Sequence, residues 1–178
     1  MRALIIVPLC LAAAACSGGG EEGKVTQKAA RMEAGQWETS FEVTSFRSTD
    51  KSTPVLKAAV GDKETGSACI TDADGGAPPA AIFAGPGYEC SYKDSYLRAG
   101  RINATLDCRR KGIDGSIMMN ASGTFTGTTF EGTVDAASYL PGSGDFALTR
   151  KIGGRKTGAA CPAPAPEGDA KGGGKAGG

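Results

Sequence analysis

The stretch Tyr88–Arg110, YECSYKDSYLRAGRINATLDCRR, decides the fold. Side chains alternate along a strand, so Tyr88, Cys90, Tyr92 and Tyr96 fall on one face. Ile102, Ala104, Leu106, Cys108 and Arg110 fall on one face of the next run. Between them, Arg98-Ala99-Gly100 reads as a three-residue hairpin loop with glycine at its end. That loop sets Tyr96 opposite Ile102, Tyr92 opposite Leu106, and Cys90 opposite Cys108. Directly opposed residues have Cα atoms about 4.5–5.5 Å apart, within disulfide reach. A Cys90–Cys108 bridge is therefore expected, which leaves Cys69–Cys161. Four cysteines allow about three pairings, and this one rests on the hairpin register.

The same period of two recurs outward from the hairpin. Trp37, Thr39, Phe41 and Val43 alternate with Glu38, Ser40, Glu42 and Thr44. Ile117, Met119, Ala121, Gly123 and Phe125 share one parity, with Ser116, Asn120, Ser122 and Thr124 on the other. Phe130, Gly132, Val134 and Ala136 follow, and then Phe146, Leu148 and Ile152, a row that Arg150 interrupts. Turn residues separate these runs at Gly112, Asp114-Gly115, Gly127 and Pro141-Gly142-Ser143-Gly144. Such strands without helical periods between them predict a mainly β fold, an antiparallel meander curling into a barrel or half-barrel. Two segments depart from the pattern. Thr53-Pro54 ahead of Val55–Val60 reads as an N-cap and first position of a short helix. Thr71–Phe83 holds a turn of helix or a loop.

All the aromatic residues lie between Trp37 and Phe146, which sets a β domain at residues 32–161. The flanks differ in kind. Residues 1–15 carry one positive charge, an apolar stretch and small residues at its end, the pattern of a secretory signal. The apolar stretch, about 14 residues, is too short for a helix to span a bilayer about 30 Å thick. Leu11-Ala12-Ala13-Ala14-Ala15-Cys16 resembles a bacterial lipoprotein signal, in which Cys16 becomes the acylated N-terminus. Ser17 then favours the periplasmic side of the outer membrane; cleavage after Ala15 into a soluble periplasmic or secreted form is the alternative. Cysteine parity agrees with lipidation. Cys10 leaves with the signal, Cys16 takes the lipid, and an even set remains for two disulfides in an oxidising compartment. Residues 16–31 read as the lipidated cysteine and a flexible tether. Residues 162–178, PAPAPEGDAKGGGKAGG, have no aromatic or β-branched side chain and read as a disordered tail.

These pieces resemble a family of small bacterial envelope proteins known as domain of unknown function 3617. The resemblance is carried by Gly35-Gln36-Trp37-Glu38-Thr39, Cys69-Ile70-Thr71 and Tyr88-Glu89-Cys90-Ser91-Tyr92. It continues through Gly100-Arg101-Ile102-Asn103-Ala104, Cys108, Gly123-Thr124-Phe125-Thr126, Gly154-Arg155-Lys156-Thr157-Gly158 and Cys161. Ala34 stands where family members often carry proline. The resemblance implies an exported bacterial domain with two disulfides, and it brings no activity with it.

Composition excludes several functions. The chain of 178 residues has 20 Lys+Arg, 19 Asp+Glu and no His. The near-neutral balance argues against a nucleic-acid partner, which needs a basic surface. The missing histidine removes a Ser-His-Asp triad, a histidine base and histidine-ligated zinc. No cysteine pair has C-x-x-C spacing, so no metal or redox site is expected there. Asp72-Ala73-Asp74-Gly75-Gly76 resembles a calcium-loop fragment, but Phe83 stands where the bidentate glutamate belongs, and the segment reads as a polar turn. Glu38 and Glu42 are the carboxylates that could serve a histidine-independent hydrolase, on a wet strand face with nothing marking a cleft. Asn103-Ala104-Thr105 and Asn120-Ala121-Ser122 read as strand surface rather than glycosylation sites.

The expectation is a lipid-anchored envelope domain without catalytic residues or cofactor. Its leading role is a binding or interaction module for an envelope partner. A carrier or sensor of an apolar small molecule or lipid is the alternative. In that case Tyr88, Tyr92, Tyr96, Met119, Phe125, Phe130 and Phe146 line the ligand; otherwise they fill the core.

Overall fold

The computed structural model describes residues 31–74, 77–158 and 160–161. The signal segment, Cys16, most of the tether and the 162–178 tail lie outside the described residues. Seven strands form one antiparallel sheet: β1 Gly35–Ser48, β2 Lys63–Ile70, β3 Tyr88–Arg98, β4 Arg101–Arg110, β5 Ile113–Phe125, β6 Thr129–Tyr139 and β7 Phe146–Lys156. Their spatial order is β2-β1-β7-β6-β5-β4-β3, so the last strand returns to pair with the first. β2 and β3 are the two edges, and the sheet is a half-barrel rather than a closed barrel. A one-turn helix, α1 at Ala81–Ala84, packs against both edge strands and bridges the opening.

The alternation read in the sequence is the burial pattern of the sheet. Trp37, Phe41, Val43, Ile117, Met119, Ala121, Phe125, Phe130, Val134, Phe146, Leu148 and Ile152 are all buried on the concave face. Each large apolar side chain removed from water contributes about 1.5–3 kcal/mol. Phe130 is the hub of one end. Its ring sits 6.1 Å from Trp37 and 5.6 Å, edge-on, from Phe83 of α1. The ring lies over Gly154 of β7, where any Cβ would collide with it. At the other end Phe46 packs 5.9 Å from Phe146. Phe46 reaches the core from the opposite parity to Phe41 and Val43 because a bulge at Thr44 shifts the β1–β7 register by one residue.

The disulfides are Cys90–Cys108 and Cys69–Cys161, with Cα separations of 4.1 and 5.5 Å. The first staples the β3–β4 hairpin. The second ties the β2 edge to the segment beyond β7, across 92 residues of sequence. In the chain-entropy picture a loop of that length contributes about 4.5 kcal/mol.

The hairpin differs from its sequence reading at one end. Cys90 does oppose Cys108, and Tyr92 opposes Leu106. Beyond Tyr92 a bulge at Lys93 shifts the pairing, so Tyr96 opposes Asn103 and Leu97 opposes Ile102. The loop is the two-residue turn Ala99-Gly100, with φ of 51° and 73°, not the three-residue Arg98-Ala99-Gly100. Positive φ at both central residues is the twist-matched hairpin turn. A one-residue slip exchanges the faces of a strand. Leu97 therefore packs toward the core, and Tyr96 stands 52% exposed on the outer face.

The helix expected from Thr53 to Val60 does not form. That segment is an extended loop, held by Val55 N–H donating to the Gly144 carbonyl at 3.1 Å. Asp50 anchors its start, accepting from the Gly144 and Asp145 amides at 2.7 and 3.1 Å. The second segment contains a 3-10 turn at Asp72–Asp74 and then α1.

Candidate functional site

Part of the concave face is not filled. A cavity of about 320 Å³ opens between the unpaired edges of the half-barrel. Its walls come from Phe41 and Val43 of β1, Leu148 and Arg150 of β7, Tyr88 of β3 and Arg110 of β4. Leu56, Lys57 and Ala58 of the extended loop roof it, and Asp62, Lys63 and Glu64 form its rim. The volume lies at the small end of the 300–1,000 Å³ usual for ligand pockets.

Arg150 distinguishes this cavity. Its residue is only 3% exposed, yet the position belongs by parity to the core-facing row of Phe146, Leu148 and Ile152. Nη2 donates to the Ala84 carbonyl at the end of α1, at 2.6 Å. The Met119 sulfur lies 3.9 Å from the same nitrogen. The guanidinium carbon sits 5.0 Å from the Phe41 ring centroid and 5.3 Å from that of Tyr88. Aromatic faces attract a cation, which offsets part of the cost of burying one. Nε is buried with no hydrogen-bond partner among the described residues. Burial pushes the Arg150 guanidinium below its ordinary pKa; Tyr88 and Glu64 favour its charge, and Arg110 opposes it.

Arg110 approaches from the other side of the sheet opening. Its guanidinium carbon is 4.5 Å from the Tyr88 ring centroid, and Nη1 donates to the Pro86 carbonyl at 3.4 Å. The local sequence makes room for both cations. Gly85 adopts φ of 80° directly after α1, and a side chain there would press on Phe41 and on Arg150 Nη1. Gly87, at φ 77°, lies under the Arg110 guanidinium. Among the described residues, neither arginine forms an ion pair. Nearby acids are engaged elsewhere or stand at the rim. The Asp62 carboxylate accepts from the Ala59 amide at 2.7 Å, and Glu64 is exposed.

Of the seven aromatic and methionine residues read as a ligand lining, Tyr88 lines this cavity. Met119, Phe125, Phe130 and Phe146 are buried in the packed core. Tyr92 is half-buried and donates its hydroxyl to the Pro78 carbonyl at 2.7 Å; burial, with the Asp74 charge, pushes that phenol well above its ordinary pKa. Tyr96 faces outward, for the register reason given above. The carboxylates Glu38 and Glu42 lie on the outer face against Arg155 and Lys63. Asp74 of the calcium-like fragment turns back to accept from the Thr71 amide and hydroxyl. No cluster of metal-ligating side chains occurs among the described residues. The two arginines were visible in sequence only as a charge interrupting one apolar row and a charge ending another.

A family model described as "Protein of unknown function (DUF3617)" matches residues 32–161, from just before β1 through Cys161. The chain belongs to this family. The DUF3617 match spans both disulfides, the whole sheet and every wall of the cavity. Neither the curated proteins nor the solved structures contain a match to the chain. Within this DUF3617 domain, two disulfides fit an extracytoplasmic compartment. No helix among the described residues is long and apolar enough to cross a membrane.

Proposed function

We propose that the chain is a non-enzymatic binding module of the bacterial cell envelope, holding a small, partly apolar molecule in the cavity as a carrier or sensor. One observation carries this reading: an open cavity walled by Phe41, Val43, Tyr88 and Leu148, beside the two cations, on the concave face of the half-barrel. Ligand pockets characteristically combine such apolar walls with a few placed polar groups. The large exposed apolar residues favour a small ligand over a protein partner. Val55 and Val60 sit on the loop, Tyr96 on β3 and Tyr139 at the end of β6, which are separate elements. An envelope protein partner is the reading that stands second. In the proposed setting Cys16 carries the lipid and the tether presents the domain on the periplasmic side of the outer membrane.

Native mass spectrometry of the chain exported to and purified from a bacterial periplasm tests the binding reading. The expected result is a reproducible extra mass that leaves on denaturation. Exchange of the cavity contents is then followed on adding amphiphiles of defined charge. A bare mass that no amphiphile changes would remove the carrier and favour the protein partner. For the anchor, Cys16→Ser is expected to release the protein from membranes; a processed form that stays tightly bound contradicts lipidation at this residue.

A further inference from the structure

We propose that the cavity recognises an oxyanion head group on a short apolar body, the oxyanion meeting Arg150 and Arg110 and the body lying against Phe41, Val43, Leu56 and Leu148. The inference rests on the binding reading above and adds the chemical class of the ligand. It is carried by the placement of two cations rather than by the cavity's size.

A buried guanidinium normally faces a carboxylate, because removing the charge from water is expensive unless it is paired. Arg150 is almost wholly buried and has no such partner among the described residues. Its recorded acceptors are one carbonyl, from Ala84, and one thioether, from Met119. Nε has none. A guanidinium presents five donors in a planar fork that matches a carboxylate or phosphate. Arg150 uses one arm to hold α1, and it remains part of the cavity wall. The second cation, Arg110, packs against the same Tyr88 ring and lines the same cavity. Two like charges facing one small cavity repel, and an anion between them removes that repulsion.

The opposite end of the ligand is set by the other walls. Phe41, Val43, Leu56 and Leu148 offer hydrocarbon and no donor. A free inorganic anion would leave that surface wet. Lys57 of the roof extends the positive field outward, while Glu42 pairs with Lys63 at the rim and Asp62 and Glu64 moderate it. That balance suits a single head group better than a polyanion.

The test uses the exported chain carrying Cys16→Ser, with titration calorimetry against octanoate, octyl phosphate and octanol. These probes share a chain and differ in the head. A charge-assisted hydrogen bond is worth about a factor of ten or more in affinity. Octanoate or octyl phosphate is therefore expected to bind at least about tenfold more tightly than octanol, and the stronger of the two identifies the head as carboxylate or phosphate. Arg150→Met should erase the preference over octanol, and Arg150→Lys should restore part of it. Glu64→Gln, a change at the exposed rim, should strengthen anion binding without disturbing the interior. Octanol binding as well as both anions would overturn the head-group inference and leave the binding reading standing. Failure of all three probes to bind the folded protein would overturn both.

Discussion

Arg150, on the last strand, reaches across the half-barrel to hydrogen-bond the carbonyl of Ala84, the final residue of α1, at 2.6 Å. The contact joins the sheet to the helix that bridges its open edge. It also places a cation where the alternation of β7 calls for an apolar side chain.

The energetic consequences oppose each other. A hydrogen bond from a charged donor contributes about 1.5–3 kcal/mol. Desolvating an unpaired guanidinium costs several kcal/mol, and the Phe41 and Tyr88 faces return about 0.5–2 of it. The terms nearly cancel, so Arg150→Met is expected to change stability by less than about 1.5 kcal/mol. Urea denaturation at neutral pH checks this. A loss of more than about 3 kcal/mol would mark Arg150 as a structural residue, because that is the cost of breaking a required buried polar contact.

The strands were legible because one wet and one dry face leave a period-two trace. Trp37 to Val43, Ile117 to Phe125 and Phe130 to Ala136 all follow it. The Cys90–Cys108 pairing was legible for the same reason. What failed was anything that depends on an inserted residue. The bulge at Lys93 leaves no compositional mark, since Lys93-Asp94-Ser95 is polar in either register, yet it carries Tyr96 from the inner to the outer face. The extended loop was misread because Thr53-Pro54 does suit a helix start, while the contacts that override it come from Asp50 and Gly144, far apart in sequence. Of the cavity, Tyr88 was legible as a lining residue, and the two cations only in negative form, as Arg150 breaking an apolar row and Arg110 ending another. Two charges on inner faces become a site only when topology brings β4 and β7 to the same opening.

Gly154 supplies a test of how the core is closed. Phe130 lies flat enough over this glycine that a methyl group would occupy the space of the ring. The ring is not free to retreat, because Trp37 and Phe83 flank it at 6.1 and 5.6 Å. Overpacking of this kind costs about 1–3 kcal/mol. Gly154→Ala is therefore expected to lower stability by that amount, and Gly154→Ala with Phe130→Leu to recover part of it. Additive losses in the double variant, measured by thermal or urea unfolding, would show that the two positions are uncoupled.

Asp50 governs how firmly the roof of the cavity is fastened. Its carboxylate accepts from the Ser52 hydroxyl at 2.6 Å and from the amides of Ser52, Gly144 and Asp145. These bonds, the Ser52 hydroxyl first, hold the Asp50 carboxyl well below the usual carboxylate range. A folded pKa depressed in this way means the ionised form stabilises the fold. That stability is fully present above the ordinary value near 3.8 and is lost as pH falls through the lower, folded value. Asp50→Asn mimics the protonated group at every pH. The variant is expected to melt below the parent at pH 7, with the gap closing as pH drops below that ordinary value. The melting temperature of both proteins, followed from pH 7 down to pH 2, checks it. A gap that stays constant over this range would mean that the charge on Asp50 does not fasten the loop.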